Sequence, residues 1–500
     1  MPRRHPGTPR LLRQLNDRAA LELLLSKGPL TRAELGEYTG LSKVTSGQLL
    51  ARLEDRGLVA VSGERPGGRG PNAALYAVVP SSAYVVGLEV LPESVTAGVA
   101  DITGEIIAEV TVDPEESGEP AKTVHNAVRR VCDSANVSLS RLRALVIGTR
   151  GVVDPRTGDV RFSFDLPSWH AGVLDDLRAT FGSSVMIEND VNLAALAEHA
   201  YGVARGVDDF VLVWAGVGQG LGVMLGSRLH RGFTGGAGEI GWLPVPGEPL
   251  PIDVNEPQSG SFQRLVGTAA VTELATTHGL PTAQDVPATQ DGSATQDISA
   301  AQGVPVTQDG SATQDASAAQ GVSDSQRVSA THGRPAAHGL AAAQDVPGAP
   351  ALSGSHDVPE VPGLPAVPAL AVSHEVPDEV PDLPGTHPPR RAAQSSAELV
   401  SAAVAAGQED FLDELARRLA IGVAAVTVVL DPGLVVLSGD VGRAGGRALA
   451  GRIEKAVAEI CPSRPRVTVT EVKGNPVLRG AVTAALEQAR EEVFSSTVDT

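Results

Sequence analysis

The residues with the clearest chemistry lie between positions 188 and 242. Glu188-Asn189-Asp190-Val191-Asn192 follows the apolar run Val185-Met186-Ile187, and Gly238-Glu239-Ile240-Gly241-Trp242 closes the stretch. Between them runs Gly216-Val217-Gly218-Gln219-Gly220-Leu221-Gly222, with glycine at every second position. Carboxylates accept hydrogen bonds from hydroxyls, amides donate and accept, and glycines let backbone amides approach a ligand. An acid at a strand end, a glycine-rich hairpin and a second acid describe the floor of a pocket for a polyhydroxylated small molecule. Asn189 and Asp190 are also residue types that cap a helix, and they can do both jobs.

These residues need elements to hold them. A helix over 193–201 and a buried strand over 210–214 lead from the first acid into the glycine hairpin. Upstream, 84–90, 95–101 and 106–112 read as paired strands, and 140–148 as a buried strand. Downstream, the pattern predicts helices over 396–406 and 410–426, a short strand over 434–437 and a closing helix over 476–493. The result is an α/β body carried by 81–280 and 395–500.

The 188–242 stretch resembles the ROK family (repressor, open reading frame, kinase). The family signature is a Gly-x-Gly-x-Gly-x-Gly hairpin, then Arg-Leu-x-Arg-Gly, then Gly-Glu-x-Gly. Here these are Gly216 to Gly222, Arg228-Leu229-His230-Arg231-Gly232 and Gly238-Glu239-Ile240-Gly241. Several fixed elements in the right order make a specific match. The resemblance implies an α/β, two-lobed actin-like or sugar-kinase (ribonuclease H-like) fold. It also implies ligand contacts at Asn189, Asp190 and Glu239, and at Gly151 in the loop Gly148-Thr149-Arg150-Gly151-Val152-Val153-Asp154, where Arg150 replaces the family's proline. Trp169, in Leu166-Pro167-Ser168-Trp169, is either the family's sugar-proximal tryptophan or a core anchor.

Several positions depart from the kinases of that family. Asp190 matches their general base, yet phosphoryl transfer also needs phosphate clamps and metal. Their first hairpin turn reads Asp-x-Gly-Gly-Thr; here it is Glu89-Val90-Leu91-Pro92-Glu93-Ser94, which lacks the glycines, loses a donor at Pro92 and adds charge at Glu93. Val217 stands where they carry a phosphate-contacting threonine, and Ser438-Gly439-Asp440 replaces their Gly-Gly-Gly turn. The family's zinc site has His after Gly-Glu-x-Gly, then Cys-x-Cys-Gly-x-x-Gly-Cys-x-Glu. Here Trp242 replaces the His, Ser261 the last Cys and Gln263 the Glu, and 247–263 holds no cysteine. Zn²⁺ needs three or four N, S or O ligands, so no metal and no cofactor is expected.

Formal charge is −19, but it is uneven. Residues 1–80 hold twelve Lys/Arg against seven Asp/Glu, a balance of +5 that leaves −24 for the rest. A basic head on an acidic body fits a chain of which only the head touches DNA. The two cysteines, Cys132 and Cys461, exclude a disulfide framework and a cysteine zinc cluster. No apolar segment follows the N-terminal arginines as in a signal peptide, and the apolar run 421–430 is too short to span a bilayer. A cytoplasmic protein without membrane contact is the expectation.

The head, 1–80, reads as a winged helix-turn-helix. Residues 16–27 form an apolar-faced helix ending at Gly28-Pro29. Thr31 and Glu34 make a capping box for a short helix ending near Gly40. Ser42 caps a third helix with Val44, Leu49, Leu50 and Leu53 inward. Strands over 58–61 and 74–78 flank a glycine-rich basic wing, 63–72. The third helix then presents Ser42, Lys43, Thr45, Ser46 and Gln48 to the major groove, and Arg69 of the wing to a minor groove. Arg3, Arg4 and Arg10 add phosphate contacts. ROK-family repressors similarly carry a winged helix with Gly-Arg in the wing, matched by Gly68-Arg69.

Residues 281–394 hold no Phe, Trp or Tyr, and Thr289 to Asp297 recurs at Thr307 to Asp315. That composition predicts a disordered insertion, whose five scattered histidines fit no metal motif.

Together these point to a transcriptional regulator of carbohydrate genes, a repressor acting as a homodimer or tetramer on a double-stranded DNA operator, with a small-molecule carbohydrate effector and no kinase activity. The alternatives are a sugar kinase carrying a DNA-binding head, and a regulator that answers to a protein docked on the insertion.

Overall fold

The computed structural model describes residues 9–66, 72–116, 119–163, 166, 172–182, 184–253, 259–280 and 395–495. Arg3, Arg4, Arg69, Trp169 and the 281–394 insertion lie outside the described residues.

The head comprises α1 (Pro9–Lys27), β1 (Leu30–Thr31), α2 (Arg32–Thr39), α3 (Lys43–Asp55), β2 (Val59–Arg65) and β3 (Ala73–Val78), with sheet order β1-β3-β2. Local chemistry sets each boundary. Thr31 accepts the Glu34 amide while Glu34 takes the Thr31 amide, closing the capping box of α2. Gly40, at φ 70°, ends it in the left-handed conformation that glycine adopts without Cβ strain. Ser42 caps α3 through the Thr45 amide at 3.2 Å. Helix α1 begins seven residues before the expected start, and β1 has too few residues to leave an alternation pattern.

The phase of α3 corrects two expectations. Ser46, Leu49, Leu50 and Leu53 are its buried residues, spaced by three and four as one helical face requires. Val44 falls opposite and is 70% exposed. Ser46, expected at the DNA surface, is buried against Gly36 where α2 crosses α3.

The body repeats one sheet pattern twice. In the first lobe, β4 (Tyr84–Val90), β5 (Val95–Asp101) and β6 (Ile106–Val112) form an antiparallel meander, followed by α4 (Pro120–Ser134) and β7 (Leu142–Thr149). The short hairpin β8 (Val152–Val153) and β9 (Val160–Phe162), helix α5 (Val173–Phe181) and β10 (Val185–Asn189) complete it. The order is β10-β7-β4-β5-β6, with β7 parallel to β4 and β10 parallel to β7. Helix α6 (Asp190–Tyr201) leads into the second lobe, β11 (Phe210–Ala215), β12 (Gln219–Leu225) and β13 (Arg228–Leu229), then α7 (Ser261–Val266) and α8 (Thr268–Thr277). After the insertion come α9 (Ser396–Ala406), α10 (Glu409–Leu430), β14 (Leu434–Ser438), α11 (Gly439–Ile460), β15 (Arg466–Val469) and α12 (Pro476–Ser495). The order β13-β12-β11-β14-β15 has the same sense, with β14 and β15 parallel to β11 in succession. This is the two-lobed, actin-like α/β arrangement.

The cleft between the lobes lies at the ends of β7 and β10 on one side and at the β11–β12 turn and the start of α11 on the other. Helix α12 packs on α6, β4 and β7. Its Ala481, Val482, Leu486 and Phe494 share one apolar cluster with Leu21, Leu24, Leu50 and Leu53 of the head. No described helix is long and apolar enough to cross a membrane.

Candidate functional site

The cleft is assembled from the strand-to-helix junction at 188–192. Asn189 is the N-cap of α6: its Oδ1 accepts the Asn192 amide at 3.0 Å, and its Nδ2 donates to the Gly151 carbonyl at 3.0 Å. Gly151 has φ 99°, and a Cβ there would stand 2.1 Å from the Phe162 carbonyl oxygen, so only glycine fits the loop beneath the cap. The buried Glu188 accepts from Asn192 Nδ2 at 2.9 Å, from the Asn189 amide at 3.0 Å and from Arg231 Nε at 2.5 Å. The last arginine of the Arg-Leu-x-Arg-Gly run therefore ties the second lobe's loop to the junction, a positioning job that spacing alone did not reveal.

Asp190 is 9% exposed and lines the cleft with one oxygen bound to the Val191 amide at 2.9 Å. Burial pushes its carboxyl up to about 7; the Arg150 guanidinium and the Val191 amide oppose the rise, and Glu89 and Glu239 reinforce it. Burial likewise raises Glu239. Glu89, at the end of β4, is raised by burial against the pull of its hydrogen bond from Asn475 and of Arg150, with Asp440 and Glu93 adding to the rise. The four positions expected to hold a ligand, Asn189, Asp190, Glu239 and Gly151, all line one cavity. Arg150, Phe162, Trp214, Trp242, Gln219 and Asp440 line it too. The chain is only 3% aromatic, so three aromatic walls on one cavity mark a concentration. Their sequence signal is weak, because they come from three separate elements. Ring faces and carboxylates together suit the apolar and hydroxyl-bearing sides of a pyranose.

The glycine hairpin divides its labour in a way periodicity did not show. A Cβ on Gly220 would meet Val191 Cγ2 at 2.7 Å, and one on Gly222 would meet Ala195 Cβ at 2.6 Å. Both glycines admit α6, and Gly220 lines the cavity as well. Gly218 faces open space within the cavity lining.

The zinc site implied by the family resemblance does not fit these residues. Gln263 Oε1 accepts the Gln219 amide at 3.1 Å and Nε2 donates to the Val217 carbonyl at 2.8 Å, so its amide is committed to the hairpin turn. Ser261 Oγ is buried without a hydrogen-bond partner, and the third position is Trp242, which offers no lone pair.

At the other end of the molecule, Lys43 and Gln48 are exposed on α3, and Ser42 and Thr45 share a hydroxyl contact at 2.9 Å at its start. The wing base is pinned by an Arg65–Glu34 ion pair. Arg69 lies outside the described residues.

A sequence model of the ROK family matches residues 85–321, and one of the MarR family matches residues 14–70. The chain is 25% identical over 269 residues to the DNA-binding transcriptional dual regulator NagC of Escherichia coli (strain K12), covering 53% of this chain and 66% of that one. It is 25% identical over 282 residues to the xylose repressor of Bacillus subtilis (strain 168), covering 55% and 70%. The match to NagC thus spans slightly less than two thirds of that protein's length. Among solved structures, a ROK family transcriptional regulator described as a homolog of the E. coli MLC protein superposes with a TM-score of 0.60 at 15% identity, over 97% of this chain and 99% of that one.

Proposed function

We propose, from the premise that the chain belongs to the ROK family and carries a MarR-type winged helix at its head, that it is a transcriptional regulator of carbohydrate genes. The body senses a sugar or sugar derivative without phosphorylating it, and the head, 1–80, binds a double-stranded DNA operator as a repressor. The names of the two relatives, a DNA-binding transcriptional dual regulator and a xylose repressor, support this reading.

One observation carries it: a single helix runs from the cleft to the head. Asn475, just before α12, donates to Glu89, whose charge is felt by the cleft residues Arg150 and Asp440, and at the far end the Val493 and Ser495 carbonyls accept from Arg56 at 2.6 Å and from Gln14 at 3.1 Å. A ligand releases DNA only by binding one conformation better than another. Lobe closure that displaces α12 supplies such a pair of conformations, and a dimer or tetramer converts the shift into a change of head spacing on two half-sites.

Against phosphoryl transfer stand Glu93, in the turn where the kinases of the family cradle phosphates, and Asp440, in the turn where they carry Gly-Gly-Gly. Each raises the cost of bringing a triphosphate there. Asp190, poised near 7, has the basicity a kinase base requires, so the kinase reading is tested directly. The purified chain is mixed with a selected operator duplex and a panel of neutral, acetylated and phosphorylated sugars. At least one sugar is expected to weaken operator binding tenfold or more, with no sugar-dependent ATP turnover. Operator binding indifferent to the whole panel removes the effector, and ATP turnover abolished by Asp190→Asn makes the chain an enzyme.

A further inference from the structure

The outermost stripe of α3 is set by its buried face. With Ser46, Leu49, Leu50 and Leu53 inward, the residues diametrically opposite are Val44, Gln48, Ala51 and Asp55, and all four are exposed. Among the described residues of the head, Val44 is the most exposed large apolar side chain, at 70%. A valine there gains nothing from burial in this chain, and its β-branched side chain is a poorer helix former than most polar residues. It is flanked by Lys43 and Thr45 and lies one turn before Gln48. The stripe is one side chain wide with polar neighbours, too narrow and too polar for a stable protein interface. From Val44 to Ala51 it extends roughly 10 Å, about three base pairs.

The chemistry of a major groove matches that stripe. Thymine is the one base of the four that presents a methyl group there, and an amide side chain pairs bidentately with adenine N6 and N7. We propose that Val44 is a base-reading residue, its methyls packed on the 5-methyl of a thymine while Gln48 holds an adenine, so that the half-site carries A·T pairs under the first two turns of α3. The inference rests on the DNA-binding reading above. It adds to that reading the class of base pair and a contact without polar atoms.

The test uses the full chain and a randomised duplex library. After selection, each thymine of the enriched half-site is replaced in turn by uracil, which deletes the methyl and leaves every hydrogen-bonding atom. One such replacement is expected to weaken wild-type binding roughly threefold to fivefold, the effect of one buried methyl. Val44→Ala weakens binding to the thymine duplex by a similar factor and no longer distinguishes uracil from thymine. Gln48→Ala relaxes the preference for adenine at the neighbouring pair. Val44 is exposed, so both variants are expected to fold, which circular dichroism checks. Enriched sites in which every uracil duplex binds as tightly as its thymine parent overturn the inference and leave the regulator reading intact. A Val44→Ala variant that changes oligomeric state but no duplex affinity makes Val44 a protein contact instead. A library with no enriched sequence removes the DNA reading, and this inference with it.

Discussion

Asn475 pins the start of α12 to the end of β4: its Oδ1 caps the helix by accepting the Leu478 amide at 3.0 Å, and its Nδ2 donates to Glu89. Replacing it by alanine removes a helix cap, worth about 1 kcal/mol, and leaves the Glu89 carboxylate without its donor. The expected outcome for Asn475→Ala is a loss of about 1–2 kcal/mol in urea unfolding together with a weaker sugar response at unchanged operator affinity. A response identical to wild type would detach α12 from signalling.

Asp190 makes stability fall with rising pH. Its carboxyl is raised to about 7 in the folded chain, against about 4 when unfolded. The folded state therefore holds the proton more tightly across that window. Its contribution is fully present below about pH 4 and disappears as pH climbs to about 7. Glu89 and Glu239, shifted in the same direction by burial, act with the same sign. Asp190→Asn should flatten the decline between pH 4 and 7, leaving the variant more stable than wild type at pH 8 while sugar binding is lost. Parallel stability–pH curves for the two proteins would refute the assignment.

The hairpin glycines separate by neighbour. Gly222→Ala forces a methyl against Ala195 Cβ, which lies 2.6 Å from its ideal position. That pushes α6 and the Asp190 it carries away from β12, and overpacking of this kind costs about 1–3 kcal/mol. Gly218→Ala meets nothing within 4 Å and should unfold like wild type, yet narrow the cavity and weaken sugar binding. Both variants should weaken sugar binding in calorimetric titration, while chemical denaturation should find only Gly222→Ala destabilised. Equal stabilities would contradict the packing role of Gly222.

Ser46 is an unpaired hydroxyl in the head's core. Desolvating such a group without a partner costs about 1–3 kcal/mol, so Ser46→Ala should match or exceed wild-type stability and leave operator affinity unchanged. A tenfold loss of DNA binding in that variant would return Ser46 to the interface.

How much of this was legible in the sequence depended on how local the signal is. The capping box at Thr31 and Glu34, the Ser42 cap and the three paired strands 84–90, 95–101 and 106–112 are written in neighbouring residues, and the structure carries them where the pattern predicts. Val44 and Ser46 exchange the sides that their residue types predict, the apolar one facing out and the polar one in. The helix's phase is fixed by Leu49, Leu50 and Leu53, which no single residue type reveals. The carboxylates and glycines of the cleft were visible as motifs. Arg231 on Glu188, Asn475 on Glu89 and the aromatic wall were not, since each pairs residues from distant parts of the chain.

The apolar mass that Leu21, Leu24 and Leu50 share with Leu486 and Phe494 bears on how such proteins can be re-engineered. A head cut at residue 80 would leave greasy wounds on both fragments, and a foreign head grafted onto this body would meet a socket shaped for another plug. Exchanging operator preference between relatives therefore calls for transplanting the last turns of α12 along with the head, or for rewriting only the outer stripe of α3 and leaving the seam untouched.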